Sequence, residues 1–296
     1  MVLWHGETEV EQGFKDKLAE TKTDARFTVY NANQDRNALS STLRSGVLNV
    51  DQYDYIYTFG TTASLVVKNY IDNRVPQIFC VSFNPVKSGL VESFDRSGSR
   101  ITGVSSRIPI KQSVEVATSL FPVVHMAMLF NPREKNSAIQ VEEINQLGQD
   151  LGIPVTPVRV APTDDFLDEV LMDLVANSTR YDTVLISGDS FLKSQAAKIM
   201  ATLRQTDLKV VANSKDYLRQ GALFGVVADF YTIGQRCGDI LLRVQSGEDI
   251  TQIPIGSIRT PELIINQDTA TRLNIDIPTE MEQEVRFITP SNDDSS

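Results

Sequence analysis

Short apolar runs alternate along this chain with longer runs in which apolar residues recur every three or four positions. The short runs predict strands at 2–4, 27–31, 55–59, 77–81 and 101–104, and the amphipathic runs between them predict helices at 9–20, 35–48, 63–71 and 85–91. A second series follows, with strands at 127–130, 155–159, 183–186, 210–212 and 223–227 and helices at 137–151, 164–176 and 191–206. In the first of these helices Ile144, Leu147 and Leu151 share one face, while Glu142, Glu143 and Gln146 lie elsewhere, and Gly152 supplies a stop. Strand–helix alternation of this kind makes parallel sheets covered by helices, so the predicted class is α/β, with two doubly wound lobes. A further helix at 232–245, an extended bridge at 253–255, a strand at 263–265 and a short helix at 268–273 would complete the two lobes in turn.

In open parallel sheets, ligands bind beyond the carboxyl ends of the strands. The loops at those ends are rich in small polar residues: His5-Gly6-Glu7-Thr8, Gly60-Thr61-Thr62-Ala63, Ser82-Phe83-Asn84-Pro85 and Ser105-Ser106-Arg107 in the first half. The second half adds Asn131 to Ser137, Gly188-Asp189-Ser190, Asn213-Ser214-Lys215-Asp216 and Ala228-Asp229-Phe230-Tyr231. The sharpest signal is Phe130-Asn131-Pro132-Arg133-Glu134-Lys135-Asn136-Ser137, where an apolar run breaks at Asn-Pro and a helix begins. A helix start offers unpaired N–H groups and the positive end of the helix dipole to an anionic group. Thr62, Asn84, Ser137 and Ser190 serve equally well as helix N-caps. Asp229 beside an apolar strand is expected to be partly buried and to want a cation, either a ligand ammonium or a side chain such as Arg107 or Lys215.

The chain of 296 residues is long enough for two cores of ordinary size. Its 38 acidic and 28 basic residues leave a net charge of −10, with no basic cluster, which argues against a nucleic-acid partner. No G-x-S-x-G, G-x-x-x-x-G-K-[ST], G-x-G-x-x-G or H-E-x-x-H pattern is present, so the expectation is a binder and not an enzyme. With His5 and His125 alone, a zinc site is not expected, and no cofactor is. Cys80 and Cys237 read as two small buried hydrophobes in preference to a disulfide. No basic, apolar export leader precedes the first strand, and the polar segment 285–296 is expected to be a disordered tail.

Six segments, in register from about Gly13-Phe14 to Ile277-Pro278, carry a resemblance: Ser82 to Val91, Ile101 to Ser105, Phe130 to Ser137, Arg219 to Leu223, Ala228 to Gly234, and Leu263 to Asn266. In these the chain resembles the ABC-transporter substrate-binding proteins that include tryptophan- and phenylalanine-binding lipoproteins. The resemblance implies a type I periplasmic-binding fold with lobes 1–106 plus 231–259 and 107–229 plus 261–284. It also implies a hinge of three crossovers and closure on a small solute. Asn136 and Ser137 would then hold a ligand carboxylate, and Asp229 its amino group. Thr61, Thr62 and Asn84 would line the first lobe, with His5 beside them and Asp189 opposite. The implied partners are an amino-acid-like ligand and a membrane permease, with the protein a monomer held in the periplasm or on the outer surface. The same fold also serves as the ligand-sensing domain of signalling proteins. Asn84 stands where the family often has Asp, and the loop after the first strand is one residue short. Both positions bear on side-chain specificity, so the solute need not be an aromatic amino acid.

Overall fold

The computed structural model describes residues 1–258 and 260–289. The chain divides into two compact units, Met1–Arg107 with Asp229–Arg259, and Ile108–Ala228 with Thr260–Ser296. Each unit is a doubly wound α/β layer structure built on one sheet.

Unit 1 runs β1 (Val2–Leu3), α1 (Glu9–Glu20), β2 (Tyr30–Asn31), α2 (Arg36–Arg44), β3 (Ile56–Phe59), α3 (Thr61–Ile71), β4 (Gln77–Ser82) and β5 (Ile101–Ser105). Its strands are parallel, in the order β2-β1-β3-β4-β5, so the winding reverses between β1 and β3. The strand expected at 27–31 shrinks to two residues, because β1 offers only Val2 and Leu3 as partners. The helix expected at 85–91 is a turn instead. Asn84 Oδ1 accepts the Lys87 N–H, the Leu90 and Val91 N–H groups fold back onto the Pro85 carbonyl, and Gly89 sits at φ +82°. That left-handed glycine stops the helix after the single turn closed by the Ser88 N–H on the Asn84 carbonyl.

Unit 2 opens with α4 (Ile110–Leu120), β6 (Met126–Phe130), α5 (Lys135–Leu151), β7 (Val155–Arg159) and α6 (Asp164–Ala176). It continues with β8 (Thr183–Ile186), α7 (Ser190–Ser194), α8 (Ala196–Leu203), β9 (Lys209–Ala212), α9 (Lys215–Arg219) and β10 (Phe224–Val227). The chain then returns to unit 1 for α10 (Phe230–Gln245), and to unit 2 for β11 (Glu262–Asn266), α11 (Gln267–Arg272), α12 (Thr279–Glu282) and β12 (Val285–Ile288). The strand order is β12-β11-β10-β9-β8-β6-β7, with β11 antiparallel to β10, and the winding reverses between β6 and β8. Both faces of this sheet are buried, as a parallel sheet requires. Along β6, Ala127 and Leu129 join the apolar cluster of Leu167, Leu171, Ile199 and Leu203, while Met126, Met128 and Phe130 join that of Val114, Val141 and Ile144.

Three expectations are corrected here. Helix 191–206 is two helices, since the chain breaks at Gln195 between α7 and α8. Residues 285–288, expected to begin a tail, form β12, whose every residue pairs with β11; 290–296 lie outside the described residues. The third concerns the cysteines. Cys80 on β4 and Cys237 on α10 are joined in a disulfide, with Cα atoms 6.4 Å apart and a sequence separation of 157. The burial expected of them is right, but a strand and a helix distant in sequence bring the two sulfurs together. The bond ties the two stretches of chain that make unit 1. Denatured protein should therefore show no reactive thiol until reductant is added, and two thiols titrating without reductant would refute the bond. Its removal is expected to cost about 2–4 kcal/mol.

Helix α10 lies against α1 at the distance of backbone contact. A Cβ on Gly234 would overlap the Val10 carbonyl, and one on Gly13 the Tyr231 carbonyl. Around that contact Tyr231 donates to Asp16 (2.9 Å) and Lys17 pairs with Asp239 (3.1 Å).

Candidate ligand-binding site

Each sheet places a polar rim at its carboxyl edge, and in each unit a helix starts at the point where the winding reverses. In unit 1 this is α3, which follows β3. Its N-cap is Gly60 at φ +87°, and no side chain caps it. In unit 2 it is α5, which follows β6. Its N-cap is Glu134, and again no side-chain cap is made. Helices α4, α6, α8 and α12 also lack a side-chain cap but do not start at a switch point, whereas α1, α2, α7, α9, α10 and α11 are capped by Thr8, Asp35, Asp189, Ser214, Asp229 and Asn266. The first-turn N–H groups of α3 and α5 are thus left without the side-chain oxygen that usually satisfies them.

In unit 1, Thr61, Thr62 and Asn84 all come to this rim and are nearly buried. Thr61 Oγ1 lies 3.4 Å from Ser82 Oγ and accepts the Phe83 N–H at 3.4 Å, which ties the loop after β3 to the loop after β4. His5 is half-buried and stands edge-on to Phe59, with ring centres 4.6 Å apart.

In unit 2, Asn136 donates from Nδ2 to the Gly188 carbonyl (2.6 Å), and the Gly188 N–H donates to Gln140 Oε1 (3.0 Å). Ser137 Oγ accepts the Asn131 N–H (3.0 Å) and meets Ser187 Oγ at 2.6 Å. Ser187 in turn donates to Asp189 Oδ2 (2.9 Å), whose other oxygen caps α7 through the Leu192 N–H (2.9 Å). The loops after β6 and β8 are therefore locked together by α5. Ser137 is fully buried, so its hydroxyl serves this lock, while its N–H belongs to the open turn of α5.

Asp189 is 2% exposed and forms no ion pair among the described residues. Burial pushes its pKa up from 3.8 to about 6, against the pull of its hydrogen bonds from Leu192 and Ser187. Close by, the fully buried Tyr217 hydroxyl has no hydrogen-bond partner. Burial, then the nearby Asp189 and Asp216 charges, hold it well above the ordinary phenol range.

Asp229 departs from expectation. It is exposed, and its carboxylate caps α10 through the Thr232 N–H (3.1 Å) and hydroxyl (2.6 Å). The strand before it is apolar, but the residue itself is the second past the end of β10 and so leaves the core. The capping roles offered to Thr62, Ser137 and Ser190 also shift. Thr62 and Ser137 lie inside the first turns of α3 and α5, and Asp189, not Ser190, caps α7. The residues missed from sequence are Gln140, Ser187, Asn213 and Tyr217. Gln140 was findable, since it falls four and three residues after Asn136 and Ser137, on their side of α5. Asn213, which donates to the Ile186 carbonyl (2.8 Å), sits in a loop that was noted but carried no spacing to single it out.

Two doubly wound units, each with an open helix terminus at its switch point and a rim of hydroxyls, amides and carboxylates, have the fold of the type I periplasmic-binding proteins. The chain belongs to the ABC transporter substrate binding protein family, whose model matches residues 3–286. It is 23% identical over 226 residues to a tyrosine-binding protein of Clostridioides difficile (strain R20291), covering 76% of this chain and 64% of that one, so less than two thirds of the relative's length is matched. Among solved structures it is similar to an ABC domain in complex with L-Trp from Streptococcus pneumonia, at 21% identity and a TM-score of 0.87, over 97% of this chain and 98% of that one. It is also similar to the ligand-free, open form of a Clostridium difficile substrate-binding protein with adhesive properties, at 18% identity and a TM-score of 0.72, over 97% and 98% of the two chains. Among the described residues no helix is long and apolar enough to cross a membrane, and no group of three or more side chains could hold a metal ion.

Proposed function

We propose that this protein is the solute receptor of an ABC importer working outside the cytoplasmic membrane. In this proposal a small zwitterion of the amino-acid kind bridges the carboxyl edges of the two units, which close on it and present it to a membrane permease. The observation that carries the proposal is the pair of helices, α3 and α5, that open uncapped at the switch points of their sheets. Free N–H groups at a helix start favour a carboxylate, and the α5 turn at Asn136 and Ser137 is where a solute carboxylate would sit. Asp229, exposed at the end of β10, would take the ammonium. Thr61, Thr62 and Asn84 would form the unit 1 wall, with His5 and Phe59 offering aromatic edges and Asp189 bracing the opposite rim. The tyrosine-binding relative and the L-Trp complex support an amino acid as the solute class. A solute that touches both units stabilises the closed state by the contacts it makes only there.

The test is a thermal-shift panel of L-amino acids and related small zwitterions. At least one should raise the unfolding midpoint by several degrees, as mass action requires of a ligand present far above its dissociation constant. Asp229→Ala should abolish that shift for a solute with an amino group. A full shift retained in the variant would remove Asp229 from the site, and a panel with no shift at all would defeat the proposal.

A further inference from the structure

One strand residue holds a backbone conformation that its side chain disfavours. Val81, inside β4, has φ +59°. The other non-glycine residues with positive φ among the described residues are Lys22, Asn33, Gln34, Asp72, Asn73 and Asn274, all unbranched at Cβ and all outside strands and helices. A branched side chain in the left-handed region is a genuine outlier, and such outliers persist only where their surroundings over-determine them.

The surroundings here do so. Cys80 pairs with Val104 and Ser82 with Ser105, so Val81 is the extra residue of a β-bulge. On the near side, the Cys80 carbonyl accepts the Gly60 N–H (3.0 Å), and Cys80 itself is bonded to Cys237. On the far side, the Ser82 carbonyl accepts the Ser106 N–H (3.0 Å), and the Phe83 carbonyl accepts the Ser105 hydroxyl (3.0 Å). The extra residue shifts the in–out alternation of the strand by one place. With that shift Ser82 is fully buried beside Thr61, and the Phe83 N–H reaches Thr61 Oγ1.

We propose that Val81 is a positioning residue for the unit 1 binding rim: its left-handed bulge turns the end of β4 so that Ser82 locks onto Thr61 and Phe83 and Asn84 face the bound solute. This rests on the solute-receptor proposal above. Val81 itself touches nothing of the solute; it acts through the loop that follows. Glycine accepts φ +59° freely, proline cannot adopt it, and deletion removes the extra residue altogether.

The experiment measures, for wild type, Val81→Gly, Val81→Pro and a deletion of Val81, both the unfolding midpoint and the affinity for whichever standard L-amino acid binds wild type most tightly. The glycine variant should match the wild-type affinity within about twofold, with an equal or raised midpoint. The proline and deletion variants, where folded, should bind at least about tenfold more weakly. A folded proline or deletion variant that binds like wild type overturns the proposal. If neither folds, the glycine variant decides: wild-type affinity with a raised midpoint supports the bulge as a positioning device, and a tenfold loss overturns it. If wild type itself binds none of the amino acids, the receptor proposal fails first and this one with it, an outcome distinct from any in which wild type binds.

Discussion

Replacing Asp189 with Asn is expected to make this protein more stable at neutral pH. The native carboxyl has its pKa raised by burial to about 6, against 3.8 for the free group, so the folded state holds this proton more tightly than the unfolded state does. For such a group the sign is fixed by linkage. Ionised Asp189 costs the fold nothing below about pH 4, where both states are protonated. The cost grows as pH rises from about 4 to about 6 and is fully present above that. Two pH units at about 1.4 kcal/mol each set an upper bound of about 3 kcal/mol. Asparagine keeps an oxygen for the Leu192 N–H, so the cap on α7 survives while the buried charge goes. Urea denaturation of wild type and Asp189→Asn at several pH values should show the two converging near pH 4, with the variant ahead by about 1–3 kcal/mol at pH 7.5. A variant less stable than wild type at pH 7.5 would show that the ionised carboxylate contributes more through its hydrogen bonds than its burial costs. A buried carboxylate kept at the rim at such a cost is consistent with a site shaped for binding as well as for stability.

The second large effect lies far from the rim. Gly234→Ala should destabilise unit 1 by about 3 kcal/mol, because the added methyl meets the Val10 carbonyl and not a side chain that could turn aside. Gly13→Ala should behave alike against the Tyr231 carbonyl. The double variant should cost less than the sum of the two, since parting α1 from α10 once relieves both clashes. Gly46→Ala, in open space at φ +74°, is the control and should cost about 1 kcal/mol from backbone conformation alone. Equal losses at Gly46 and Gly234 would show that the helix contact yields more readily than its geometry implies.

Much of the architecture was legible from hydrophobic periodicity. The strand at 183–186 and the helices at 9–20 and 164–176 stand where the pattern put them, because each buries one clear stripe or two clear faces; the strand at 155–159 does so too, although at the edge of its sheet it is only half-buried. What failed has physical causes. The apolar positions Ile110, Val114, Ala117 and Phe121 keep helical spacing, but Pro109 opens α4 without a capping side chain, so the sequence carries no N-cap signal there. The pattern at 85–91 was helical in hydrophobicity but not in backbone, since Gly89 and the Asn84 cap favour a turn. β12 hides in a stretch whose composition is that of a tail, and pairing with β11 decides it. At the site, residue types could be read but not their partners. Ser137 and Asp189 look alike as polar loop residues, and only the fold shows one locking two loops together and the other holding a buried charge. The Cys80–Cys237 bond was not legible at all, because a sequence separation of 157 parts a strand from the helix that covers it.

The order in which the chain visits its two units has a consequence for its birth. Unit 1 lacks α10, and with it the partner of Cys80, until residues beyond 229 have been made; unit 2 lacks β11 and β12 until almost the whole chain exists. Neither core can close until the chain has crossed back into its unit, so a growing polypeptide carries two unfinished halves for most of its length. Long-range pairings of this sort slow folding and prolong exposure of apolar surface. That delay leaves an interval in which a chaperone meets a pliable thread rather than a finished particle.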